Sequence, residues 1–146
     1  MKQLGLMLRL TVVISCDVVW PPTITAPVED VAPDALVNAS IVILTQEGYT
    51  ILTAEASSGL ITTDWREESS FVSQNLLGVS RRKRVSIIYD LLTGHVSVQM
   101  TKQKKEEGHA WRTDGLSGDD RNEMARILTR VQERAQLIQS LDFEPV

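Results

Sequence analysis

Two stretches of alternating side chains constrain this chain more than anything else in it. Val85, Ile87 and Tyr89 alternate with Arg84, Ser86 and Ile88, and after Thr93-Gly94 the pattern resumes with Val96, Val98 and Met100 against Ser97, Gln99 and Thr101. A period of two sends successive side chains to opposite faces, so these runs predict a hairpin with one dry and one wet face. A dry face needs a cover. Met124, Ile127, Leu128, Val131, Ala135 and Ile138 fall at helical spacing and supply one, with Arg121, Glu123, Arg130, Glu133 and Arg134 elsewhere around the axis. Ser117, Asp119 and Asp120 precede that helix, where capping of its free amides is a better reading than acid/base or metal chemistry.

Upstream, Tyr49 to Ala56 and Leu60 to Arg66 flank Ser57-Ser58-Gly59. Tyr49, Ile51 and Thr53 alternate on one side and Ile61, Thr63 and Trp65 on the other, which predicts a second hairpin. Residues 33 to 47 place Leu36, Ala39, Ile43 and Val37, Ile41, Leu44 in two adjacent helical rows, opened by Pro33 and closed by Gly48. A helix is expected there; the β-branched run from Ser40 to Thr45 allows a strand instead. The expected architecture is thus α+β: a four-stranded antiparallel sheet of two hairpins, with N- and C-terminal helices packed on one face. It occupies residues 33–141, with 142–146 as a tail.

Before the domain, residues 16–32 contain Pro21, Pro22 and Pro27 with no helical or alternating period, and are expected to form an extended tether. Trp20 on that tether has the amphipathic ring that membrane interfaces favour. Residues 1–15 read as a lipoprotein signal, with Lys2 followed by a mostly apolar stretch too short to span a bilayer. Val13-Ile14-Ser15-Cys16 resembles a bacterial lipobox, which implies cleavage before Cys16, acylation of that residue and anchoring without spanning. Arg9 interrupts the apolar run, so a buried strand or helix over residues 10–19, with Cys16 packed as a small hydrophobe, is the competing reading. The lipobox reading places the domain in the periplasm of a bacterial cell envelope, on either the inner or the outer membrane.

A net charge of -4 with both signs spread along the chain provides no basic field for nucleic acid, and none is expected as a partner. One cysteine and two histidines, His95 and His109, offer no internal disulfide and no zinc-ligand cluster, so neither metal nor cofactor is expected.

Gly48-Tyr49-Thr50-Ile51 and Ser58-Gly59-Leu60-Ile61-Thr62-Thr63-Asp64-Trp65 resemble the start of the domains in a family of small envelope lipoproteins that includes the C-subunit of the outer-membrane β-barrel assembly machinery. The strand Arg82-Lys83-Arg84-Val85-Ser86-Ile87, Trp111 in a loop and the closing helix fit the same pattern. The resemblance covers about residues 33 to 141 and rests on packing motifs. It implies a helix-grip fold and an accessory role, in which a membrane-anchored module binds envelope proteins.

Trp65, Arg66 and Trp111 are the candidate partner-binding residues, because aromatic and arginine side chains dominate binding hot spots. Trp65, sharing a strand face with Ile61 and Thr63, is also a candidate for the core. Arg81-Arg82-Lys83-Arg84 suits anionic headgroups, or a solvated run that protects an edge strand. No enzyme is expected; Asp64, His95 and His109 make the one conceivable polar constellation for hydrolysis. The leading expectation is a lipid-anchored interaction module. The alternative is a carrier or sensor of a small apolar ligand or lipid, gripped between sheet and helix.

Overall fold

In the computed structural model, which describes residues 22–142, the hairpin around Thr93-Gly94 is the spine of the molecule. Strands β5 (Val79–Asp90) and β6 (His95–Glu106) pair without interruption from Val79 opposite Glu106 to Asp90 opposite His95. The turn is held by Asp90, whose carboxylate accepts from the Leu92 and Thr93 amides and whose carbonyl accepts from Gly94. Val85, Ile87, Tyr89, Val96, Val98 and Met100 all face the helices and are buried.

Each flank of this hairpin is covered by two short strands placed end to end. The remaining elements are β1 (Thr23–Pro27), α1 (Pro33–Gln46), β2 (Ile51–Glu55), β3 (Leu60–Thr63), β4 (Arg66–Glu67), α2 (Phe71–Asn75), β7 (Arg112–Asp114) and α3 (Gly118–Asp142). β3 and β4 both pair with β5, β1 and β7 both pair with β6, and β2 closes one side beyond β3, all antiparallel. The class is α+β with an antiparallel sheet, as expected, but the described residues hold seven strands and three helices in place of four strands and two helices. Twelve-residue strands are too long for a four-residue neighbour to cover, and the ladder groups left over are met by the extra short strands.

The boundary at residue 33 is also corrected. Residues 23–27, expected in the tether, form β1, where Ile24 and Ala26 pack inward and Thr23 and Thr25 face out; Val28 and Val31 then join the core. Prolines are tolerated because β1 is an edge strand and they sit at or beside its ends. Pro22 offers its carbonyl to the Met100 amide at 2.8 Å. The domain therefore includes residues 22–32. Cys16, Trp20 and the proposed signal lie outside the described residues.

α1 is helical through the β-branched stretch. Ser40 and Thr45 donate their hydroxyls to the carbonyls four residues back, of Leu36 and Ile41, which satisfies them without strand pairing. The helix ends in a Schellman motif: Gly48, at φ +84°, donates to Thr45 and Tyr49 donates to Leu44. That turn delivers Tyr49 to the interior. α3 starts with a reciprocal cap, in which Ser117 Oγ accepts from the Asp120 amide while the Asp120 carboxylate accepts from the Ser117 amide. α1 and α3 pack together on the dry face, joined at their rim by Glu47, which takes Arg126 and Arg130. Leu36, Leu44, Ile61, Ile87, Met100, Met124 and Ile127 fill the layer between them and the sheet. Among the described residues no helix is long and apolar enough to cross a membrane.

Candidate functional site

The wet face of the sheet carries a stacked assembly at its centre. Arg82, Arg84, Ser86 and Ile88 point away from the helices along β5, and Gln103 and Thr101 stand opposite Arg82 and Arg84 on β6. The Arg82 guanidinium lies 4.4 Å from the centre of the Trp65 ring and 4.0 Å from that of Trp111, so it is held between two indoles. Arg84 lies 4.7 Å over the other reach of Trp65. Arg82 Nε and Nη2 both donate to Gln103 Oε1, at 3.0 and 2.9 Å. Each cation–aromatic contact contributes about 0.5–1 kcal/mol at a partly exposed site. The effect is to fix two long arginines and two indoles as a preorganised platform that is half open to solvent.

Trp65 is thus not in the core with Ile61 and Thr63. The pairing to β5 slips by one residue between β3, where Ile61 faces Ile87, and β4, where Arg66 faces Lys83. That extra residue turns Trp65 outward and Arg66 inward. The Thr50 carbonyl accepts from the Asp64 amide, and Asp64 Oδ1 accepts from the Trp65 amide at 2.7 Å, which holds the irregular corner. Trp65 and Trp111 are brought together, joined through Arg82. Arg66 belongs elsewhere.

On the opposite face, Arg66 enters a buried charge cluster beneath the start of α3. Lys83, only 4% exposed, sets its ammonium against Glu68 at 2.5 Å, Asp120 at 3.2 Å and Glu123. Lys102 bonds Asp120 at 2.9 Å. Arg66 bonds Glu123 at 3.0 Å and stacks 4.1 Å over the Tyr49 ring, whose hydroxyl donates to Glu123 at 2.8 Å. Three cations thus face three carboxylates. Oxygens of Glu68, Asp120 and Glu123 lie within 4.8 Å of one another, a spacing a cation would accept, but the Lys83 ammonium occupies the point on which they converge. The group is a balanced ionic knot tying β4, β5 and β6 to α3. Asp120 therefore caps its helix, as expected, and also anchors two lysines.

Burial opposes the charge on Asp120, but the Ser117 amide and hydroxyl and the Lys102 ammonium outweigh it and hold the carboxyl at about 2. Burial likewise opposes the charge on Lys83, and its bonds to Glu123 and Glu68 outweigh that, raising its pKa. Tyr49, buried beside Glu123, is pushed strongly up and stays a neutral donor. For Asp120 the folded value lies below the unfolded one, so its contribution is complete above about pH 4 and is lost as pH falls toward 2. The shift corresponds to roughly 2 kcal/mol. Urea unfolding from pH 6 to pH 2 should show this loss, and Asp120→Asn, weaker at neutral pH, should show a correspondingly flatter acid limb.

The run Arg81-Arg82-Lys83-Arg84 is neither uniformly solvated nor on an edge. β5 is central, and the alternation of the dry hairpin continues through the run, with Lys83 in and Arg82 and Arg84 out. Signals for Lys83 and Arg82 were therefore present in the sequence, hidden by consecutive charges. Gln103 carried none, because its role depends on register. Asp64, His95 and His109 are not brought together. His95 opens β6 and His109 lies past its far end, roughly 40 Å along the strand direction. Each ring sits against a local carbonyl, of Thr93 and of Glu107.

A groove of about 540 Å³ borders the platform, lined by residues 74–78 together with Ser80, Lys105, Glu106, Glu107 and Trp111. No family model matches the chain and no curated protein matches it. Solved structures do. One is a DUF4468 family protein from Bacteroides ovatus, 9% identical, with a TM-score of 0.43 over 83% of this chain and 80% of that one. Neither a family nor an activity follows from a likeness at that level.

Proposed function

We propose that this chain is a non-catalytic interaction module of the bacterial cell envelope, anchored through an acylated Cys16, which grips a partner protein with the Trp65–Arg82–Trp111 platform. The observation that carries the reading is the stack itself: two tryptophans and two arginines ordered on the sheet face turned away from α1 and α3. Such side chains are the ones that dominate binding hot spots, and prior ordering lowers the entropy lost on association. The lipobox pattern at Cys16 and the sequence resemblance to envelope accessory lipoproteins support the location and the kind of role. The alternative of an apolar ligand between sheet and helices is opposed by the interior, where Leu36, Leu44, Ile87, Met100 and Ile127 already fill that layer.

The test is photo-crosslinking from a probe at Thr101, beside the platform, in intact cells. A reproducible adduct that disappears in Arg82→Glu supports the reading, and an adduct pattern indifferent to Arg82→Glu and Trp111→Ala removes it. Because Arg82 is on the wet face, Arg82→Glu is expected to cost no more than about 1–2 kcal/mol of stability, chiefly the two lost ring contacts, as read by urea unfolding. A variant still folded yet unable to crosslink separates binding from folding.

A further inference from the structure

We infer that the segment around α2 is a membrane-docking ridge that lays Phe71, Val72, Leu76 and Leu77 into the headgroup region of an anionic bilayer. These four large apolar side chains are 77, 55, 73 and 69% exposed, and α2 has no buried residue of its own. Four of seven consecutive positions thus carry apolar side chains that contribute nothing to the core. Ser70 caps the helix by accepting from the Ser73 amide at 3.2 Å, and Glu68 and Ser69 tie its entry to Arg81, so the ridge is a built element.

What covers it is argued from the chain that precedes the domain. β1 belongs to the sheet, so the link between Cys16 and the folded domain is five residues and not the whole proline-rich stretch. Fully extended, Cys16 to Pro22 reaches about 20 Å at most. Pro22 is fastened to Met100, and α2 borders Lys105 on the same strand, roughly 17 Å further along β6. β1 runs antiparallel to β6, so its N-terminal end faces the α2 end of the sheet, and an anchor on Cys16 would lie within reach of α2. Two lysines at that end can meet anionic headgroups. Arg81 is paired with Asp114 and Arg112 with Glu106, which leaves Lys105, lining the groove beside α2, and Lys104, on the other face of the strand, with no ion pair among the described residues, against Glu67 and Glu107. Trp111 stands at the margin, an amphipathic ring of the kind that interfaces favour. The inference rests on the anchored reading of Cys16 and adds to it a second contact, which would orient the Arg82 platform relative to the membrane.

The experiment uses the full chain with Cys16→Ser, which removes the sole cysteine, and Leu76→Cys carrying an environment-sensitive fluorophore. Leu92→Cys, on the turn at the other end of the hairpin and 96% exposed, is the control. Vesicles of phosphatidylcholine with one-quarter phosphatidylglycerol should give a blue shift and at least a threefold rise in emission at position 76 and none at 92. Phe71→Ser with Val72→Ser should cut the response at least fivefold, and pure phosphatidylcholine should weaken it. A protein that stays unbound, or sediments with vesicles while position 76 reports water, overturns the docking ridge. So does a shift at 76 that needs no lipid and grows with protein concentration, which would mark a contact between copies. Mass spectrometry of the native membrane-extracted protein decides acylation of Cys16 separately, so either reading can fail alone.

Discussion

Replacing Lys83 with Met is expected to cost about 3–5 kcal/mol, the largest loss from any single charge in the domain. The methionine has the volume to fill the space, so the loss is not a cavity effect. It arises because Glu68, Asp120 and Glu123 converge on one ammonium with little access to water, and its removal leaves three carboxylates facing Lys102 and Arg66 alone. Breaking one partner of a buried ionic group leaves the others uncompensated, whereas losing an exposed pair changes little. Arg126→Ala, which removes a half-exposed partner of Glu47 still held by Arg130, should therefore cost below about 1 kcal/mol. Urea unfolding at pH 7 compares the two. Adding Glu123→Gln to Lys83→Met restores the balance of charge and should recover part of the loss. A Lys83→Met variant within 1 kcal/mol of the parent would mean that water already reaches the cluster and that the knot does not hold α3 to the sheet.

That cluster also shows where sequence reading succeeds and where it stops. Val85, Ile87 and Tyr89 announce a dry face, and the same period carried two residues back places Lys83 on it. Four consecutive basic residues obscure the pattern, because a charge run is normally solvated and burial of one member depends on carboxylates from β4's neighbour Glu68 and from α3, distant in sequence. α1, both hairpins and α3 are legible for the opposite reason: each has enough turns or alternations of its own to declare a period. β1, β4 and β7 have two to five residues each, and only a partner strand makes them strands. Prolines concealed β1 further, since the residues that bar a central strand are harmless at an edge. Trp65 was the finest point. Its neighbours Ile61 and Thr63 predict an inward ring, and the one-residue slip between β3 and β4 that reverses it leaves no mark in local composition. The candidate residues Trp65 and Trp111 were nameable from type alone, but the arginine that joins them follows from the register of β5 and β6.

Gly59→Val is expected to be comparably damaging, at least about 3 kcal/mol, with loss of the platform as its functional sign. Gly59 closes the turn between β2 and β3 at φ +65°, where a β-branched residue is strained. A Cβ there would lie 2.2 Å from the Tyr89 carbonyl oxygen, and no flexible side chain can give way because the obstacle is backbone. The same place is bonded, the Tyr89 amide donating to the Gly59 carbonyl at 2.7 Å. Valine must therefore push β3 away from β5, and β3 is what aligns β4 and carries Trp65 over Arg82 and Arg84. Gly59→Ala separates the two costs, since it meets the same carbonyl with less bulk and should lose somewhat less. Calorimetric melting of both variants gives the stability, and near-ultraviolet circular dichroism of the indoles reports the stack. Valine accepted at full stability, with the indole signal unchanged, would show that the hairpin does not lie flush on β5 and that Trp65 is positioned by some other contact.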